Sequence, residues 1–328
     1  MSVSRYSSTE TYWTPPVTPP ALTTLRSQIG RRWVWMSILS VLVFFATYIG
    51  LVRTPLGQYM ENAALLGAQQ ATQGEVTDAL DNLDVISVTS LCVVMVLLMI
   101  LGVIRRSWRI AAAGMFTLGA SAVLAEVLKR FVLPRPDLAD IYQNNTHNSF
   151  PSGHTTIAMS ILVALLLVVS YRWRGLVMLL ALGWATSIGA ATVTARWHRL
   201  SDTIGGDMIA IGMGALVAMW LLGHHAIEER TSKVYPLRVV YVVFLVVVGV
   251  GSLAVGLMLG IGTMANFGVL QEVATSYSTG VPAQLTAHLD PVFNDNMYLA
   301  AQSLALGLST LSALWFWATF YRLGTAAP

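Results

Sequence analysis

The chain has 328 residues, of which 55% are hydrophobic and only 11% charged. A soluble domain carries about 25% charged residues, so this balance, with a mean hydropathy of +0.65, excludes a disordered protein and an ordinary cytosolic enzyme and indicates a polytopic membrane protein. The net charge of +3 is too small to suggest a nucleic-acid partner, and the single cysteine, Cys92, cannot form an internal disulfide.

Residues 1–30 are rich in Ser, Thr and Pro and read as a flexible cytoplasmic tail. Apolar runs of about 20 residues then read as membrane-spanning helices. Eight occur, over 33–52, 84–104, 110–132, 154–171, 175–195, 203–223, 238–262 and 296–320, none cut by a central proline. In lipid every backbone polar group must be satisfied internally, so helices are expected, and the alternation of a membrane β-barrel is absent. The first run is too long, and too poor in a cleavage signature, for a removable signal peptide. The expected fold is therefore all-α, with segments at 1–30 (tail), 31–83 (first span and outer loop), 84–223 (core) and 224–328 (a cytoplasmic loop and two extra spans).

With the N-terminus in the cytoplasm and alternating spans, thirteen of the 19 basic residues fall on the cytoplasmic side with three acids. Six basic residues fall on the outer side with thirteen acids. This is the asymmetry of the positive-inside rule. Five of the six outer cations cluster in two short patches, 129–135 and 196–199.

The first patch, Lys129 to Asp137, ends the third span; Pro134 and Pro136 stop the helix. Arg135 suits an anion because its planar fork donates two hydrogen bonds at once. The second patch, Phe150 to Thr156, opens the fourth span. Ser152 is a fitting N-cap, Gly153 lets the backbone approach a ligand closely, and the free N–H groups of the helix start favour an anion beside His154. The third patch, Ala195 to Asp202, joins the fifth and sixth spans. His198 and Asp202 are four apart, on one face of a helical turn, where the carboxylate fixes the imidazole tautomer. The patches share one outer face and supply cations, an anion-binding helix start and two histidines, a set suited to phosphoryl transfer.

This set resembles the type 2 phosphatidic acid phosphatase family, the membrane relatives of the vanadium haloperoxidases, as a divergent member. The family motifs run Lys-x6-Arg-Pro, Pro-Ser-Gly-His and Arg-x5-His-x3-Asp. Pro151–His154 matches the second motif, and His198 with Asp202 completes the third. Two positions differ. Five residues rather than six separate Lys129 from Arg135, and Thr192 stands where the third motif places its arginine, with Arg196 nearby as the substitute. The resemblance covers roughly residues 84–223 and implies a six-helix core. It implies that Arg135, Lys129 and Arg196, with Ser152 and Gly153, hold a phosphate, that His198 attacks phosphorus with Asp202 orienting it, and that His154 protonates the leaving oxygen. It implies no metal and no cofactor.

The implied substrate is a membrane lipid phosphate, with a polyprenyl diphosphate or other cell-envelope lipid favoured, cleaved at the outer face of a bacterial plasma membrane. No nucleic acid is expected, and the sequence assigns no oligomeric state. A lipid phosphotransferase would use the same site. A transporter would carry broken helices in repeated halves, and a metal-dependent hydrolase would draw on His154, His198, Asp202 and His147. The outer segments 53–83, with an amphipathic stretch over Met60–Gln73, and 263–295 are expected either to cap the site or to lie in the headgroups.

Overall fold

Local capping sets where several helices begin in the computed structural model, which describes residues 20–139, 148–229, 236–280 and 283–325. Helix α1 (Pro20–Thr47) runs on as a π-turn over Tyr48–Val52. It begins within the segment expected as a tail, whose residues 1–19 lie outside the described ones. Thr54 caps α2 (Pro55–Gly67) by accepting the Gly57 N–H at 3.1 Å. Thr72 and Glu75 form a reciprocal capping box at α3 (Gln73–Asp84), and Ser87 with Ser90 does the same for α4 (Val88–Ile104). Helix α5 (Trp108–Val127) continues as a π-turn over Leu128–Val132. Then come α6 (Gly153–Val168), α7 (Arg174–Thr194) and α8 (Leu200–Gly223). The chain closes with α9 (Pro236–Asn266), α10 (Val269–Thr279) and α11 (Pro291–Thr319).

This is an all-α polytopic membrane fold. Among the described residues, six helical stretches are long and apolar enough to cross a membrane: Ser27–Val52, Trp108–Val132, α7, α8, Arg238–Asn266 and α11. Helices α3 and α4, bent by 51° at their junction, would add a seventh if the pair crosses as one span. The expected span 154–171 is the shorter α6, whose 16 residues rise about 24 Å, less than the roughly 30 Å of a bilayer's hydrocarbon. Its place explains the length. It is buried along most of its course and packs against α5, α7 and α8, so its ends meet protein.

Helix α8 is the axis, packed against α1, α5, α6 and α11 and mostly buried. Gly206 sets how near α6 can come. A Cβ there would sit 2.9 Å from the Thr156 nitrogen and 3.0 Å from the Ser152 oxygen, both backbone atoms. Helix α9 packs on α11 and turns Val239, Val240, Val243 and Val247 outward, as a lipid-facing helix does.

The two ends of the bundle differ. At one, a short antiparallel ribbon that the sequence did not signal pairs β1 (Ile227–Glu229) with β2 (Leu323–Thr325), Ile227 opposite Thr325. Arg105 and Arg174 donate to Thr325 and Leu323, and Arg109 to the His224 carbonyl. At the other end α2 and α10 pack with α11 around Tyr59, Val269, Phe293 and Met297. All three sequence patches lie at this second end.

Candidate functional site

The chain between α7 and α8 turns sharply on Thr192, whose carbonyl accepts both the Trp197 and the His198 N–H, at 3.0 and 3.1 Å. Arg196 takes up the reversal at φ +61°. The turn delivers His198, 8% exposed, against fully buried Asp202 on the first turn of α8. His198 Nδ1 lies 3.2 Å from Asp202 Oδ2, and the Arg199 backbone N–H donates to the same oxygen at 2.9 Å. With Nδ1 committed to the carboxylate, Nε2 is the ring nitrogen left for chemistry.

His154 lies opposite, its ring centroid 6.2 Å from that of His198 and 5.5 Å from that of Trp197. It stands on the first turn of α6, where Ser152 caps: Ser152 Oγ accepts the Thr155 N–H at 3.3 Å. The Ser152 N–H donates to the Asp202 carbonyl at 2.9 Å, which ties the second patch to the third. The N–H groups of a helix's first turn have no intrahelical acceptor, so the Gly153 end offers donors and a positive dipole to an anion. Gly153 also leaves room: a Cβ there would lie 3.3 Å from Glu126 Oε1 and 3.7 Å from Lys129 Nζ. Lys129 and Glu126 pair at 3.0 Å above the helix start, and Arg130 joins Glu126 at 2.8 Å.

The helix exit between Lys129 and Arg135 departs from α-helical winding. Residues Leu128–Val132 wind as a π-turn, with the Leu133 N–H on the Leu128 carbonyl at 2.9 Å. Such a turn changes the angular step between residues. Lys129 thereby reaches the α6 start, and Arg135 turns to a different partner. Asn148 fastens the strap that follows, donating to the Lys129 and Leu133 carbonyls.

Arg135 is the buried cation of the first patch, its side chain 4% exposed. Its Nη2 lies 3.4 Å from Glu61 Oε2 on α2, while its Nη1 is buried without a hydrogen-bond partner. Glu61 Oε1 accepts the Ser201 N–H at 2.7 Å. Burial pushes the Glu61 carboxyl above the usual carboxylate range, and the Arg135 guanidinium pulls it back. In the third patch the buried arginine is Arg199, 2% exposed, with Nε donating to Asn62 Oδ1 and Nη1 to Ser149 Oγ, both at 3.1 Å. Arg196, offered for the motif position that Thr192 vacates, is only half-buried.

The sequence reading missed Glu61, Asn62 and Arg199 as site residues. Glu61 and Asn62 carry no local signal, since their partners lie 74 and 137 positions away. His147, Asn144, Asn145 and Asp140 lie outside the described residues. Asp137 is exposed, and His288 stacks edge-on against Tyr59 at 5.7 Å, away from the histidine pair. Asp207 is buried within α8 and accepts from Ser309 on α11. Among the described residues no three His, Cys, Asp or Glu side chains gather closely enough to hold a metal ion.

Residues 110–226 match the PAP2 superfamily. No curated protein and no solved structure matches the chain. The superfamily's members are generally phosphatases, and the match points to phosphatase action on phosphate esters. The matched segment runs from α5 to the turn after α8 and carries all three patches. Over residues 110–226, about a third of its length, the chain is thus similar to the PAP2 superfamily.

Proposed function

We propose that this protein hydrolyses a phosphomonoester or diphosphate on a membrane lipid, without a metal, through a phosphohistidine on His198. One observation carries the reading: a buried guanidinium nitrogen of Arg135 without a partner, at the same end of the bundle as a His–Asp pair that faces a second histidine. A buried donor left unpaired is costly, and a phosphate oxygen would satisfy it.

Arg135 Nη1, Lys129 and the N–H groups at Gly153 hold the phosphate oxygens. His198 Nε2 attacks phosphorus as the bond to the leaving oxygen breaks, and His154 gives that oxygen its proton. Asp202 balances the charge on the His198 ring. His154 then takes a proton from a water that attacks phosphorus, the N–P bond breaks, and inorganic phosphate leaves. Cationic side chains and the helix start neutralise the transferred group.

Support for a lipid comes from the rim. Phe131 is 80% exposed beside Lys129, and Val132 and Trp197 are exposed next to the same cations. Apolar and cationic groups side by side suit a headgroup at the bilayer surface. The excess of basic residues at the opposite end supports an extracytoplasmic site. A lipid diphosphate of the cell envelope, such as a polyprenyl diphosphate, is the substrate we favour.

The test is phosphate release from a panel of lipid phosphates by purified protein in chelator, beside His198→Ala. Wild type should turn over at least one lipid, and the variant should lose at least about 10³-fold in kcat while its thermal unfolding is unchanged. Full turnover by the variant would sink the assignment.

A further inference from the structure

We infer that α2, which lies outside the matched segment, is a clamp that positions the site's buried arginines, with Glu61 as its positioning residue. This rests on the phosphatase reading and assigns it a residue from outside residues 110–226.

Gln58, Glu61 and Asn62 stand at i, i+3 and i+4, on one face of α2. All three are buried, at 2%, 4% and 5% exposure, which is unusual for such side chains. Each has a partner in the strap after α5 or in the α7–α8 turn. Gln58 donates to the Val52 and Pro136 carbonyls at 2.8 and 2.6 Å and accepts the Leu138 N–H at 3.1 Å. Asn62 donates to the Ala139 carbonyl at 2.9 Å and accepts from Arg199 Nε at 3.1 Å. Glu61 spans both sides: one oxygen takes Arg135 Nη2, the other the Ser201 N–H.

Ser201 adjoins Asp202, so a single carboxylate fixes Arg135 relative to the His198–Asp202 pair. It holds the guanidinium by one nitrogen and leaves Nη1, buried and without a partner, for the anion. A buried ion pair is weak evidence of stabilisation, because desolvation offsets its attraction. Orientation of a phosphate-binding fork is a better reason for its place here, as with the outer partners that orient metal ligands.

The experiment uses the full chain in detergent, with the lipid phosphate that wild type cleaves best and vanadate as a probe of the site. Glu61→Gln keeps the shape and an acceptor for Ser201 while removing the charge. It should raise KM and the vanadate inhibition constant about 10–100-fold, with a smaller change in kcat and wild-type thermal unfolding. In an Arg135→Ala background the same substitution should change neither constant further, because the two residues act through one contact. Unchanged constants in Glu61→Gln, tighter vanadate binding, or full additivity with Arg135→Ala would each overturn the inference. If Glu61→Gln does not fold, Glu61→Asp, which withdraws the charge by one methylene, takes the same readouts. Wild-type turnover with an unaffected Glu61 variant defeats this inference alone. A wild type that neither turns over lipid phosphates nor binds vanadate defeats the phosphatase reading as well.

Discussion

Asp202 shows how much one side chain does at this site. It is fully buried, and its Oδ2 meets both His198 Nδ1 and the Arg199 N–H. Replacing it by Asn keeps the size and one acceptor, but an amide nitrogen in the place of Oδ2 turns a donor toward Nδ1 and gives up the Arg199 N–H. The proton then moves to Nε2, which loses the lone pair needed for attack, and the charge that would balance an imidazolium is gone. Asp202→Asn should lower kcat by about 10²–10⁴-fold with little change in KM. The check is steady-state kinetics beside thermal unfolding, and a variant with wild-type kcat would contradict the role given to Asp202. The pair is legible in the sequence because a spacing of four on a helical turn is local information. Glu61 is not legible. Its partner is 74 positions away, and nothing within α2 distinguishes a buried acid from one facing headgroups.

At the scale of elements, the site depends on how closely α6 meets α8. The Ser152 N–H on the Asp202 carbonyl and the bare Cα of Gly206 over the Ser152 carbonyl lock the two helix starts together. Gly206→Ala would place a methyl 2.9 Å from one backbone atom and 3.0 Å from another, so the helices must part by some tenths of an ångström. Overpacking of this kind costs about 1–3 kcal/mol. The expected outcome is a lower unfolding temperature in detergent together with reduced kcat/KM, since His154 and His198 ride on the two displaced starts. Wild-type stability and activity in this variant would contradict the close contact. The apolar runs made the long helices readable. They did not reveal that α6 stops at Val168, because its shortness is permitted by burial among α5, α7 and α8, a tertiary property. Nor did they settle whether the 53–83 segment lies in headgroups or over the site. Within it, the contacts of Gln58, Glu61 and Asn62 with Pro136, Arg135 and Arg199 are visible only in the fold.

Across the whole molecule, charge and chemistry divide between the two ends of the bundle. Arg105, Arg109 and Arg174 are tied at the end that carries the β-ribbon. Lys129, Arg135, Arg196 and Arg199 gather at the other with His154, His198 and Asp202. The alternation of spans made this division readable, since each crossing carries the next loop to the opposite side. At the second end carboxylates already meet the site's groups: Glu126 pairs with Lys129, Glu61 with Arg135, and Asp202 holds the His198 ring. On the proposed reading, a phosphate entering there would meet side chains already held in place, the condition under which electrostatic catalysis needs little reorganisation. The central claim is that His198 carries the phosphoryl group between lipid and water. The most direct measurement is single-turnover reaction with a lipid whose terminal phosphate is isotopically labelled, quenched in alkali, with the label located by peptide mass spectrometry. An acid-labile label on His198, present in wild type and lost in His198→Ala, is the predicted result. Turnover with no labelled enzyme at any quench time, or a label on another residue, would contradict it.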